Sequence, residues 1–491
     1  MKLSIQFLVI FLLSIKIASG QTDTVINKRF NIIENSEKLQ RLLTLEAREG
    51  KPNDKLVVVH FGDSHIQGDY FTGTIRKNLQ QVFGVAGEGV LFPYSVCKSF
   101  GPRNLTTKIT GDWKFATILK NPNSYSIGVS GYTLISADKM ATMSFIYNPT
   151  DELGYDNKNI YEKVIVWHTK NNFKIKLIDN GAADGIYLDT IKKSNGLYQT
   201  IISNYHTGME LKIQFDTSST DTLFSFHGIT FENSHQNGLQ YYRSGVVGAT
   251  FQQLLAQQEF IIAHLKEINP DILIFSYGSN ESYLVDFDIN IYYKNITLWI
   301  ETIQKEFPNV CIVFTSTPDT RSQNRFPKNT QAINEKLHKI ALENSLAYWD
   351  LNKIMGANNS MMYWLNNGLA AKDKLHFTKT GYVLQGNLFS LAFLQLFNNE
   401  SKRSIQIVSD SLQTKINKQL DSLQSNDSTG SSTILNIERP ILVSNFYLVK
   451  KNDTLSNIAV KFGVTVKQLC LWNKLTKNSV LQINQKILIK K

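Results

Sequence analysis

The chain has 491 residues, 42% of them hydrophobic and 19% charged, with a formal net charge of +11 and a sequence pI near 9.2. This composition excludes a disordered or fibrous chain, and the length predicts roughly two to four globular domains. Cys97, Cys311 and Cys470 lie far apart, with no CxxC and no Cys/His cluster, which excludes a zinc site and a disulfide framework.

The positive charge is concentrated at the C-terminus. Residues 446–491 hold nine lysines against one acid, Asp453, a net of +8; the first twenty residues add Lys2 and Lys16, so residues 21–445 carry only +1. A nucleic-acid binder would spread basic surface over its main domain, and none is available there.

In chain order, Met1-Lys2, the apolar run Ile5–Ile15 and Ala18-Ser19-Gly20 have the layout of a secretory signal cut after Gly20. No cysteine follows the cut to carry a lipid anchor, and no later segment is apolar enough to span a bilayer. Leu39, Leu42, Leu43 and Leu45 predict an amphipathic helix within Asn35–Glu49. The β-branched run Leu56–Phe61 predicts a buried parallel strand that ends at Gly62-Asp63-Ser64-His65. From Val96 to Asn233 short alternating stretches predict an all-β segment, a sandwich or jelly roll. Strand and helix then alternate. Helices are predicted over Ala249–Ile268, Asn290–Phe307, Asn329–Asn344 and Thr378–Phe397, and strands over Asp271–Ser276, Val310–Phe314 and Leu346–Asp350. That rhythm predicts a doubly wound parallel α/β sheet. An amphipathic stretch Ser404–Leu423 precedes a flexible linker, Ser425–Ser432, and a last unit begins near Asn445.

Four polar sites fall at ends of these elements. Gly62-Asp63-Ser64-His65 follows the first buried strand, at the carboxyl edge where an open sheet places its chemistry. The Ser64 hydroxyl would stand at the mouth of a following helix, although the same tetrapeptide reads equally well as an N-cap. Gly245-Val246-Val247-Gly248-Ala249-Thr250 opens a helix and frees the Gly248 amide to face an anion; Gly245 is its rival for that role. Gly278-Ser279-Asn280-Glu281 brings an amide side chain to the same edge. Asp373-Lys374-Leu375-His376 puts an acid and an imidazole on one loop, so that the carboxylate can hold one ring nitrogen while the other faces the serine.

In this order the four sites resemble the SGNH, or GDSL-like, hydrolase superfamily over residues 55–95 and 240–397. His65 departs from the usual leucine. The string Gly62-Asp63-Ser64-His65-Ile66-Gln67-Gly68-Asp69-Tyr70-Phe71-Thr72-Gly73 is similar to the first block of bacterial peptidoglycan O-acetylesterases, which also carry a carbohydrate-binding-like β insertion between the first two blocks. The resemblance implies that Ser64 is the nucleophile, His376 the general base and Asp373 its orienting acid. It implies an oxyanion hole of the Ser64 and Gly248 N–H groups and the Asn280 side chain. It requires no metal or other cofactor. His60, His206, His227 and His235 read as packing or surface residues. Tyr242 and Arg243 are open between substrate-lining and solvated positions, and Trp167 between sugar stacking and core.

The tail from Tyr447 resembles a LysM domain through Phe462-Gly463-Val464 and Leu471-Trp472-Asn473, with Asn452-Asp453 in place of Gly-Asp and Asn484 in place of Gly. That family implies binding to N-acetylglucosamine-containing glycans. The division read from the sequence is a signal peptide at 1–20, a hydrolase domain at 21–95 and 234–400, a β-rich insertion at 96–233, helix and linker at 401–444, and LysM at 445–491. The expected function is an exported, wall-associated serine esterase that removes O-acetyl groups from peptidoglycan. An O-acetyltransferase of the same fold and an inert wall-binding scaffold are the alternatives. No nucleic-acid partner and no stable membrane insertion are expected.

Overall fold

The computed structural model describes residues 26–42, 55–101, 104–120, 125–147, 161–169, 173–179, 182–183, 187–203, 205–206, 208–215, 223–233, 237–322, 327–397, 403–427, 446–449, 453–455, 458–459, 466–476, 479, 481–482 and 485–489. The signal peptide, His235 and the Phe462-Gly463-Val464 turn lie outside them, as do most of the linker and Asn452 and Asn484.

The strands, in chain order, begin with β1 (Ile33–Glu34), β2 (Lys55–Gly62) and β3 (Val85–Leu91). The Val96–Asn233 segment supplies β4 (Leu105–Thr110), β5 (Lys114–Thr117), β6 (Tyr132–Ser136), β7 (Thr142–Tyr147), β8 (Lys163–Thr169), β9 (Phe173–Asp179), β10 (Ala182–Ala183), β11 (Tyr187–Lys192), β12 (Leu197–Ser203), β13 (Glu210–Phe215) and β14 (Phe224–Glu232). Beyond it come β15 (Gly238–Gly245), β16 (Ile272–Ser276), β17 (Cys311–Thr315) and β18 (Ala347–Trp349). The order β18-β17-β16-β2-β15-β3 is parallel throughout. Strand β2 is buried on both faces because its β-branched residues pack against both layers of the unit. After β2 the chain first builds outward to β3 and returns as β15 on one flank, then continues as β16 on the other. The order therefore reverses at the carboxyl end of β2, the position at which open α/β sheets form their crevice.

The helices are α1 (Glu37–Leu42), α2 (Ser64–Gln67), α3 (Tyr70–Phe83), α4 (Phe251–Ala256), α5 (Gln258–Ile268), α6 (Ile289–Glu306), α7 (Thr330–Glu343), α8 (Leu351–Met355), α9 (Ser360–Asn366), α10 (Lys379–Leu394) and α11 (Arg403–Asp427). The helix expected over Ala249–Ile268 is broken at Gln257, and it starts on a capping box in which Thr250 and Gln253 satisfy each other's backbone. Helix α11 extends through Asp427, so the first three residues of the expected linker are helical. Its Ile405, Leu412, Ile416, Leu420 and Leu423 are buried at helical spacing in the same cluster as Leu388 and Phe393 of α10. No helix among the described residues is long and apolar enough to cross a membrane.

The alternating pattern predicts an all-β sandwich or jelly roll over 96–233; the segment is built of strands, but part of them joins the central sheet. One set, β14-β8-β12-β11, continues the central sheet: β14 pairs antiparallel with β3, so parallel and antiparallel halves form one ladder. A second sheet, β10-β9-β13-β7-β4, has Phe145 stacked on Phe226 at 5.4 Å and Tyr147 against Phe231 at 4.9 Å. Phe145, Trp167 and Phe226 belong to the same buried cluster as Phe61, Phe275 and Trp299, so the insertion shares its core with the α/β layer. The register shift at Gly228, with φ +139°, bends β14 where the ladder changes partners.

Residues beyond Leu423 form a separate unit. There a two-stranded antiparallel sheet, Phe446–Leu448 with Lys486–Leu488, accompanies a helix, Val466–Asn473. Asn473 ties the helix to the returning strand, donating to Leu469 O and Leu488 O and accepting from Leu488 N at 2.6 Å. Tyr447 donates to Asp453 at 2.7 Å.

Candidate active site

The carboxyl end of β2 delivers Ser64. Asp63, the residue before it, caps α2 by accepting from the His65 N–H at 2.9 Å. Helix α2 is a single turn of four residues, so the dipole expected of the following helix is small. From the far end of the unit the loop before α10 brings His376, whose Nε2 lies 2.9 Å from Ser64 Oγ. His376 Nδ1 lies 2.7 Å from Asp373 Oδ2, while Asp373 Oδ1 accepts the N–H groups of Leu375 and His376, both at 2.9 Å. Partial burial raises the Asp373 carboxyl, and the hydrogen bonds from the His376 ring and the two backbone donors outweigh it, leaving the group ionised below its ordinary value.

Two glycines of the second block have different physical reasons. Gly245 ends β15 where a Cβ would fall 2.4 Å from Gln67 N, so it is fixed by the close approach of strand and α2. Gly248 has φ +83° and an open Cβ position, so it is fixed by its left-handed backbone. Among the described residues, neither the Ser64 N–H nor the Gly248 N–H has a hydrogen-bond partner. The Asn280 amide nitrogen donates to Ala249 O at 2.9 Å and reaches Asp63 Oδ2 only at 3.5 Å, the limit of a hydrogen bond. With Asn280 as the side-chain oxyanion donor that the resemblance implies, replacing it with Ala is expected to lower kcat by on the order of 10²–10³ with KM little changed, measured as steady-state ester hydrolysis.

Three residues within these motifs have surroundings that the motifs alone do not reveal. Glu281 is buried and accepts from Phe251 N at 2.7 Å and Gly278 N at 3.0 Å, pinning the Asn280 turn to α4; its burial pushes the carboxyl up to about 7. His65 donates or accepts at Nδ1 with Tyr382 OH, 2.9 Å away, and its ring lies 5.5 Å from that of His376. Burial first, then the neighbouring His376, hold His65 down to about 3, so it stays neutral beside His376. Asp63 is pushed up to about 6, chiefly by burial.

The Asp63 shift makes a stability prediction. The folded carboxyl keeps its proton up to about pH 6 and the unfolded one releases it near 3.8, so the folded state binds more protons between these values. The associated stability is present below about 3.8 and lost as pH rises through 6. In Asp63→Asn this dependence disappears. Between pH 4 and 7, urea unfolding is expected to shift in the variant's favour, relative to the parent, by up to about 3 kcal/mol.

Other polar candidates fall away from the site. Tyr242 and Arg243 are buried in β15, and Arg243 pairs with Asp69 at 3.0 Å beside Arg76 and Glu88. Trp167 is core and donates to Thr230 Oγ1. His60 bonds Tyr241 OH and Ser276 Oγ, and His227 bonds Thr133 Oγ1; His206 is exposed. Among the described residues no three His, Cys, Asp or Glu side chains are grouped to hold a metal ion.

Residues 220–384 match the GDSL-like Lipase/Acylhydrolase family and residues 447–490 the LysM domain. The first match takes in Gly248, Asn280, Asp373 and His376, while Ser64 lies ahead of it. No curated protein matches the chain. Among solved structures it is similar to a peptidoglycan O-acetylesterase, with a TM-score of 0.55 and 20% identity over 80% of this chain and 98% of that one. It is also similar to the lipase/acylhydrolase of Enterococcus faecalis (TM-score 0.26, 20% identity, 31% and 74% covered) and to a family two carbohydrate esterase of Cellvibrio japonicus (0.27, 12%, 60% and 99%). At this identity the first likeness speaks for the fold.

Proposed function

For a chain that carries a GDSL-like lipase/acylhydrolase domain and a LysM domain, we propose an exported serine esterase that removes O-acetyl groups from cell-wall glycan, O-acetylated peptidoglycan first among them. The observation that carries this reading is the unbroken run of hydrogen bonds Ser64 Oγ, His376 Nε2, His376 Nδ1, Asp373 Oδ2 at 2.9 and 2.7 Å. Ser64 attacks the acetyl carbonyl and His376 takes the hydroxyl proton at Nε2, while Asp373 keeps the other proton on Nδ1. The oxyanion forms against the Ser64 and Gly248 N–H groups and the Asn280 amide. His376 then returns the proton to the departing sugar oxygen, and a water activated by the same imidazole releases acetate from the acetyl-enzyme. The LysM unit supplies the tether to N-acetylglucosamine-containing polymer, which concentrates the enzyme on an insoluble substrate.

The test is acetate release from O-acetylated peptidoglycan by the full chain, with chitooligosaccharide added as acceptor. Release that is unaffected by the acceptor supports hydrolysis. Transfer that outruns release makes the protein an acetyltransferase of the same fold, and no acetyl chemistry on any ester would leave a wall-binding scaffold.

A further inference from the structure

Gln67 stands three residues after Ser64 and is fully buried. Its side chain uses all four of its hydrogen-bonding positions. Nε2 donates to Ser99 Oγ and to Phe100 O, and Oε1 accepts from Val247 N at 2.9 Å and from Tyr132 OH at 3.0 Å. Ser99, Phe100 and Tyr132 come from the inserted segment and Val247 from the second block. One amide on the nucleophile's own turn thus fixes two loops against the reacting serine.

The side chains held there are apolar and open. Phe100 is 52% exposed, with its ring edge 3.4 Å from a Cβ built on Gly68, at the end of the turn that begins with Ser64. Val247 is 42% exposed and directly precedes Gly248; Leu119 is 38% exposed, with its Cδ1 3.7 Å from a Cβ built on Gly248. Single exposed apolar residues are ordinary, but these three come from separate loops, with the Phe100 and Val247 backbones both bonded to Gln67 and Leu119 beside Gly248, a grouping of the kind that binds a ligand. Ser99 and Gly101, on either side of Phe100, line a cleft of about 260 Å³ with Ser95 and Thr107 among others, so hydroxyl-bearing residues flank the same loop. A pyranose ring offers the matching chemistry, an apolar face of C–H groups edged by hydroxyls, and an aromatic side chain supplies a flat apolar body for it.

We propose that Phe100, with Leu119 and Val247, forms the subsite that seats the apolar face of the sugar ring bearing the scissile ester, and that Gln67 is the positioning residue that holds this subsite to the nucleophile. The inference rests on the esterase reading and assigns its glycan selectivity to residues of the inserted segment and the second block.

The test uses the full chain, with p-nitrophenyl acetate as the reporting ester and soluble, de-O-acetylated peptidoglycan fragments as competitive inhibitors. Competition at the serine reports the subsite, whereas glycan held by the LysM unit alone does not block the small ester. Phe100→Ala is expected to raise Ki about tenfold while kcat/KM for the small ester falls no more than two- to threefold. Phe100→Tyr is expected to restore Ki to within about threefold of the parent. Equal losses in both measurements would reduce Phe100 to a structural part of the loop, and an unchanged Ki, or no inhibition of the parent, would overturn the subsite. Failure of the esterase reading shows separately, as no hydrolysis of the small ester and no acetate release by the parent chain.

Discussion

Ser64→Ala is expected to lower kcat for acetate release by on the order of 10⁶, with KM and unfolding temperature close to those of the parent. The size of the effect follows from how little else the change touches. Ser64 is 9% exposed, and its hydroxyl has one hydrogen-bond partner among the described residues, His376 Nε2. Removing one oxygen leaves no buried group stranded, because His376 is half-buried and water can replace the lost contact. On the proposed mechanism this closes the acyl-enzyme route and leaves the weaker assistance of the proposed Gly248 and Asn280 donors to direct attack by water. A second substitution, His376→Ala on top of Ser64→Ala, should then cost almost nothing further, since the two act as one device. A Ser64→Ala chain that kept more than about one per cent of parental turnover would move the nucleophile elsewhere.

The sequence made this device readable because each part sits beside a feature that short-range patterning reveals. Ser64 follows a run of β-branched residues, and Asp373 and His376 share one loop ahead of a long apolar helix. What patterning missed depends on partners distant in the chain. Strand β15 has no counterpart among the strands that local patterning predicts: Tyr242 and Arg243 stand open between substrate-lining and solvated positions, yet Arg243 is buried against Asp69, more than 170 residues earlier in the chain. The insertion's merger with the central sheet rests on β14 pairing with β3, a ladder between residues 85–91 and 224–232 that no local period encodes. Gln67 and Glu281 had the same disadvantage. Both lie inside the motifs, but their importance comes from backbone groups elsewhere in the chain, at Val247 and Phe100 for one and at Phe251, the start of α4, for the other.

Those backbone contacts also decide the outcome at Asp373. Asp373→Asn removes only a charge, and it is expected to lower kcat by up to about 10⁴ while leaving the loop intact. In the parent, Oδ1 accepts from the N–H groups of Leu375 and His376, and Oδ2 faces His376 Nδ1. An asparagine must keep its oxygen towards the two backbone donors, because turning its amide nitrogen there would set donor against donor twice. The amide nitrogen then faces Nδ1, which can only accept, so the ring proton moves to Nε2 and points at Ser64 Oγ. An imidazole in that tautomer cannot take the serine proton. Asp373 is 49% exposed on its side chain, so water competes for the ring and keeps a fraction of the productive tautomer available. The loss should therefore shrink at alkaline pH, where hydroxide can serve as base, whereas Ser64→Ala should remain inactive across the range. Rates of p-nitrophenyl acetate hydrolysis from pH 6 to 10 separate the two. An Asp373→Asn chain with parental kcat at neutral pH would show that His376 is oriented without its carboxylate, leaving Asp373 a structural cap for the loop.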